Sequence, residues 1–267
     1  MIKCYHEAPK SIFKQVQSLT DGDYALVNLF EEDHEYYELF EEAVEQGRDV
    51  ILDNGVFELG EAFDSGVFAG WVEKLKPTWY VVPDVLENGE ATIDRFTQFI
   101  KQYGSHLPGK IIGVAQGRDY KDFVKCYKAI EPYCDMVGIS FDCSWYRKGI
   151  KNTNPWEQLA GGRLKTLIAM DDAGIINKNK PHHLLGVALP QEMSSYNLFQ
   201  TNGFFNWIRS VDTSNPVVHG LKGIRYTADG LTTKETQKLY TMINAKPTDE
   251  QINDIIYNIK EFRRYLA

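Results

Sequence analysis

Val50-Ile51-Leu52-Asp53-Asn54-Gly55-Val56-Phe57-Glu58 is a short apolar run that ends in an acid, followed at once by an Asn-Gly turn. A buried strand delivers a carboxylate to the mouth of a barrel or sheet in this way. The pattern recurs in Trp79-Tyr80-Val81-Val82-Pro83-Asp84 and in Ile111-Ile112-Gly113-Val114-Ala115-Gln116-Gly117. It returns in Met136-Val137-Gly138-Ile139-Ser140-Phe141-Asp142 and in Trp207-Ile208-Arg209-Ser210-Val211-Asp212. Repetition of one strand-end chemistry makes a shared active site the leading expectation.

Between these runs the sequence alternates strand with helix. A short helix is expected over Ser11 to Leu19, a first strand over 24–29 and an amphipathic helix over 33–46. Strands follow at 50–53, 79–83, 110–116, 135–141, 183–188 and 206–211, with helices near 65–75, 88–103, 119–130, 155–173 and 190–200. An eighth strand is placed at Leu221 to Tyr226, and helices close the chain at 233–244 and 248–265. Regular alternation implies parallel strands with crossover helices. The expectation is an α/β (β/α)8 TIM-type barrel, a single domain over 1–267 with a C-terminal helical extension at about 233–265. The final helix carries Ile252, Ile255, Ile256, Ile259 and Phe262 on one stripe, suited to packing inside the subunit or between subunits.

Composition narrows the class. A hydrophobic share of 43% in 267 residues supplies an ordinary core. No apolar run approaches the ~18–20 residues that cross a bilayer, so a soluble, cytoplasmic protein with no membrane partner is expected. Cys4, Cys126, Cys134 and Cys143 form no Cys-x-x-Cys pair and read as free thiols, and no metal or cofactor is expected. A net charge of −8 argues against a large electrostatic footprint on nucleic acid but leaves room for a local basic patch. The long segment Asp142 to Pro155 breaks the rhythm and is the candidate lid or nucleic-acid contact; within it, the loop Cys143 to Asn154 carries Trp145, Arg147, Lys148 and Lys151 for phosphate.

In a barrel, the residues just past the strand ends line the site: here Asp53, Asp84, Gln116, Asp142 and Asp212, with Gly55, Gly117 and Gly186 for close backbone approach. Rossmann and P-loop glycine patterns are missing, as are a His-x-His strand and a strand-end lysine. What remains is a carboxylate-rich site with one amide, which suits chemistry at an acetal-like carbon. Each acid also has a plain reading as a helix cap or turn residue, Asp53-Asn54-Gly55 included. Asp142 either acts there or fixes its loop. His182 and His183 read as structural, on the face opposite the site; His219 follows Asp212 and falls near it. Phe57 is the ring best placed to stack on a flat ligand.

The ordered motifs resemble the tRNA-guanine transglycosylase superfamily. Asp53-Asn54-Gly55-Val56-Phe57-Glu58 stands where that family has Asp-Ser-Gly-Gly-Phe/Tyr-Gln. Pro83-Asp84 resembles its Pro-Asp and Ala115-Gln116-Gly117 its Val-Gln-Gly. His183-Leu184-Leu185-Gly186-Val187-Ala188 resembles its Tyr-Leu-Met-Gly-Val-Gly, and Val211-Asp212-Thr213-Ser214-Asn215-Pro216 its final Phe-Asp-Cys-Val-x-Pro. The matches keep their order over about 50–216.

The resemblance implies exchange of guanine in nucleic acid for a 7-deazaguanine such as preQ0, through a covalent aspartyl-glycosyl intermediate. By it, Asp212 is the nucleophile and Asp53 moves the base's proton. Asp84, Gln116, Gly117 and Gly186 bind the base edge, and Phe57 stacks on it. The family's C-terminal zinc site has no counterpart, since no cysteine follows Cys143. That departure points to the divergent phage and bacterial relatives that modify DNA, which would place the protein in the host cytoplasm if phage-encoded. DNA is therefore favoured over tRNA as partner. Three alternatives stay open: exchange on tRNA, an N-glycoside hydrolase with the same acids, and a non-catalytic subunit of a larger assembly. Whether the chain acts with a partner protein or as a homo-oligomer is also open.

Overall fold

The computed structural model of the chain describes residues 2–141, 143–152, 154–200 and 204–266. Eight short strands alternate with helices in chain order. They begin β1 (Lys3–Tyr5), α1 (Phe13–Gln17), β2 (Asp23–Leu26), α2 (Val27–Glu32), α3 (His34–Glu45), β3 (Val50–Asp53), α4 (Val56–Leu59) and α5 (Ser65–Leu75). The middle of the chain forms β4 (Trp79–Val81), α6 (Gly89–Tyr103), β5 (Lys110–Ala115), α7 (Tyr120–Ile130) and β6 (Met136–Ile139). The remainder is α8 (Pro155–Asp172), β7 (His182–Leu184), α9 (Glu192–Gln200), β8 (Ile208–Asp212), α10 (Asn215–Leu221) and α11 (Asp249–Tyr265).

Every strand pairs in parallel with its neighbours, in the order β1-β8-β7-β6-β5-β4-β3-β2. A parallel bridge between Tyr5 and Gly22 nearly joins the two edges, which gives a (β/α)8 barrel. The apolar runs become strands because both faces are covered: all four residues of β2, β3 and β6 are buried. Helices begin where a side-chain oxygen takes an orphan N–H, as Asp33 does for α3, Asn88 for α6 and Asn154 for α8. Thr248 and Gln251 form a reciprocal capping box on α11. The apolar stripe of α11 packs inside the subunit, where Ile255 and Ile259 meet Ile12, Val16, Val217 and Leu221.

Four sequence expectations are corrected. The first strand is Lys3–Tyr5, three residues too short to show a period, so the strand at Tyr24 is the second. That second strand ends at Leu26, and Val27 to Leu29 turn into α2. Leu221 to Tyr226 is no strand: Leu221 closes α10, and Tyr226 docks under α11 through its N–H to Asn258 Oδ1 at 2.8 Å. Residues 233–238 are not helical, and only a 3-10 turn forms at Leu239–Met242. Among the described residues no helix is long and apolar enough to cross a membrane.

Candidate active site

The C-terminal ends of the strands surround a cavity of about 330 Å³. That lies within the ~300–1,000 Å³ typical of small-molecule sites. Asp53, Phe57, Asp84, Gln116, Gly186 and Asp212 all line it. Five of the strand-end segments picked from the sequence therefore converge on one space.

Asp53 ends β3 and is buried. Tyr24 donates its hydroxyl to Asp53 Oδ1 at 2.8 Å, and the Gly55 N–H meets Oδ2 at 2.8 Å. Gly55 makes that turn at φ 75°, in the left-handed region where a side chain is strained. Burial pushes the Asp53 carboxyl up to about 7; the two hydrogen bonds oppose the rise and the charges of Asp212 and Asp84 add to it. Asp53 is thus a carboxyl that exchanges its proton near neutral pH.

The Asn-Gly turn has a second task. Asn54 is fully buried and donates to Asp84 Oδ1 at 2.7 Å and to the Val82 carbonyl at 3.0 Å. Gln116 donates to the other oxygen, Asp84 Oδ2, at 2.8 Å, and its own Oε1 accepts the Glu87 N–H at 3.1 Å. Asp84 and Gln116 form one rigid polar wall, with the Asp84 carboxyl raised by burial against those two bonds. Such a wall presents fixed donors and acceptors to a flat heterocycle.

Asp212 ends β8. Its Oδ1 receives two donors, His183 Nε2 at 2.9 Å and the Gly186 N–H at 3.1 Å. Among the described residues no hydrogen bond falls on Oδ2. His183 is fixed from behind by Ser210 Oγ at 2.7 Å from its Nδ1. Gly186 is fixed from α8: Arg163, completely buried, donates to the carbonyls of Leu185 at 3.1 Å and Gly186 at 2.9 Å. Glu192 balances that guanidinium at 2.6 Å. The peptide that donates to Asp212 thus accepts a charged hydrogen bond at its far end, which strengthens the donor.

His183 corrects the reading that placed it on the opposite face. The first residue of a strand lies away from the C-terminal mouth, but β7 is only three residues long, so its second residue still reaches the site. Its neighbour His182 is structural, buried between Tyr127 and Trp207. His219, weighed for the site because it follows Asp212, lines the cavity.

Three further groups line the cavity, and of these only Glu58 stood in a stretch singled out from the sequence. Glu7 follows β1, the strand too short to see, and faces the cavity with its carboxyl held well up, first by burial and then by the charges of Glu58, Asp212 and Asp53. Glu58 lies beside it, pushed up to about 8 by burial and by Asp53. Lys234 and Lys238 come from the segment expected to be helical: Lys234 sits 4.2 Å over the Phe141 ring and Lys238 4.7 Å over the Phe57 ring. For these no sequence signal existed beyond their charge.

Several candidates fall elsewhere. Gly117 is not on the cavity; a Cβ there would lie 2.4 Å from the Phe123 nitrogen, so the glycine lets the loop press against α7. Trp145 is 9% exposed, donates to the Gly117 carbonyl at 2.8 Å and packs on Phe123 and Tyr146. It is a core residue rather than a surface for nucleic acid. Arg147 is exposed and lines the cavity rim, and Lys148 and Lys151 are exposed beyond it. Asp142 lies outside the described residues. Among the described residues no group of three or more His, Cys, Asp or Glu is arranged to hold a metal ion, and all four cysteines are buried and outside any disulfide.

Fold and site together define a (β/α)8 barrel with an acid-rich cavity at its C-terminal mouth. No protein-family model matches the chain, and no curated protein matches it significantly.

Proposed function

We propose that the protein is a base-exchange transglycosylase that replaces guanine in nucleic acid, with DNA favoured, by a 7-deazaguanine. One observation carries the reading. Asp212 has both donors on Oδ1 and none from the described residues on Oδ2, in the same cavity where Asp53 holds a proton near neutrality. That pairing suits a carboxylate nucleophile with a separate acid–base group.

In this mechanism Asp212 Oδ2 attacks C1′ of the target nucleotide. The glycosidic C–N bond breaks, its electron pair stays on the departing base, and Asp53 supplies the proton that base takes up. Asp53 is then a carboxylate. It removes the proton from the incoming 7-deazaguanine nitrogen, which attacks C1′ and releases Asp212. The Asp84–Gln116 wall holds the base edge and Phe57, 40% exposed, offers its ring for stacking. Duplex DNA must first surrender the base from its stack, at a cost of about a few kcal/mol.

The experiment offers DNA and tRNA separately with labelled guanine or 7-deazaguanine. Label is expected in DNA. Label in tRNA alone reassigns the polymer, release of free base without incorporation indicates a hydrolase, and no product from either polymer overturns the reading.

A further inference from the structure

Inside the barrel, the rings of Tyr24 and His183 face each other, and each ends at one of the two acids. Tyr24 lies on β2 and His183 on β7, strands that β8 and β1 separate across the barrel seam, and both side chains are buried. Their planes are nearly parallel, 10° apart, with 6.4 Å between centroids. That spacing is within the ~4.5–7 Å range of offset-stacked rings. Tyr5 of β1 meets the same imidazole at 6.1 Å and 72°. Ser210 Oγ, 2.7 Å from Nδ1, fixes how the imidazole is turned.

The Tyr24 hydroxyl donates to Asp53 Oδ1 at 2.8 Å, and His183 Nε2 donates to Asp212 Oδ1 at 2.9 Å. Among the described residues no hydrogen bond joins Asp53 to Asp212 directly. The stack makes a continuous side-chain link between them, from Asp53 through Tyr24 and His183 to Asp212. Tyr24 borders the cavity, but its hydrogen is committed to Asp53. Burial holds that hydroxyl well above its ordinary range, so it stays a donor at working pH. Both His183 nitrogens are engaged as well. Spacing matters to a reaction shared by two acids, because a shift of about 1 Å in a reacting group can cost about a hundredfold in rate. Closely packed rings are stiff supports for such a spacing.

Resting on the transglycosylase reading for the roles of the two acids, we infer that Tyr24 and His183 act as one positioning unit, whose stack holds Asp53 and Asp212 at a fixed separation so that proton donor and nucleophile reach the same nucleotide. The unit works through the acids and makes no bond to the substrate.

The test follows the Asp53 carboxyl by carbon NMR titration, assigned with Asp53→Asn, in the wild type, Tyr24→Phe, His183→Gln and the double variant. Tyr24→Phe keeps the ring and removes the hydroxyl; His183→Gln keeps a donor at the reach of Nε2 and removes the ring. The other acids that face Asp53, namely Glu7, Glu58, Asp84 and Asp212, are the same in all of these proteins. Tyr24→Phe is expected to raise the Asp53 midpoint by about one pH unit, because the lost bond favours the charged form. His183→Gln is expected to raise it while Tyr24 keeps its hydroxyl, by letting that ring shift, and to leave it unchanged in the Tyr24→Phe background. An equal shift in both backgrounds, or none in either, overturns the inference. Thermal midpoints identify a variant that fails to fold, and His183→Asn then replaces His183→Gln. Base exchange by the same variants is expected to lose about tenfold or more in turnover, with KM for the base within about twofold. Unchanged turnover in both folded single variants also overturns the inference. A wild type without exchange that still shows the background-dependent shift leaves the positioning unit standing and removes the transglycosylase reading instead.

Discussion

Asp53 shows how one residue's surroundings set its chemistry. Its carboxyl rises from 3.8 to about 7, chiefly because burial penalises the charge. Between those values the folded protein holds a proton that the unfolded chain has lost, so this group's contribution to stability falls as pH rises from about 4 to 7. Asp53→Asn is therefore expected to flatten part of the decline in thermal midpoint over that window; the slope left over belongs to Glu58 and Glu7, which are raised in the same sense. In the proposed exchange, departure of the first base would need the protonated form, so its rate is expected to fall above about pH 7. Single-turnover release of guanine across pH 5 to 9 checks this, and a rate that keeps rising past pH 8 contradicts the role. Asp53, Asp84 and Asp212 were legible in the sequence because each ends an apolar run. Glu7, Lys234 and Lys238 were not, because they sit on segments whose backbone has no period.

At the scale of elements, the β6–α8 connection shows how composition can mislead. Trp145, Arg147, Lys148 and Lys151 look alike as a basic aromatic loop, yet the 3-10 turn at Ser144–Arg147 rolls Trp145 inward onto α7 and leaves Arg147 at the rim. A turn of three residues separates the two by about 120°, which composition alone does not reveal. Trp145→Ala is expected to cost about 3–5 kcal/mol in urea unfolding, the range for emptying an aromatic site. Arg147→Ala should leave stability within about 0.5 kcal/mol. It should instead reduce the salt dependence of oligonucleotide binding by about one phosphate contact. Trp145→Ala with unaltered stability would contradict the packing described for it.

For the whole molecule, the parallel alternation was readable from residue 50 onward, because fully buried strands are apolar runs bounded by turns. The closure was not. It depends on β1 and on the approach of Gly22 to Tyr5, a contact between segments with no pattern of their own. A Cβ on Gly22 would lie 2.3 Å from both the Asp49 carbonyl and the Tyr5 ring. Gly22→Ala is expected to cost about 1–3 kcal/mol by overpacking that seam, read as a lower urea midpoint at unchanged slope. Closure matters to function because it sets β1 and β8 beside β2 and β3, bringing Glu7 and Asp212 to the cavity that Asp53 enters from the other side. The central claim is that this convergence makes Asp212 the nucleophile and Asp53 the acid–base group. Trapping the covalent complex with a guanine-containing oligonucleotide, and reading it by mass after denaturation, tests it most directly. The account predicts an adduct on Asp212 in the wild type, one that forms slowly in Asp53→Asn and is absent in Asp212→Ala; an adduct that persists in folded Asp212→Ala would contradict it.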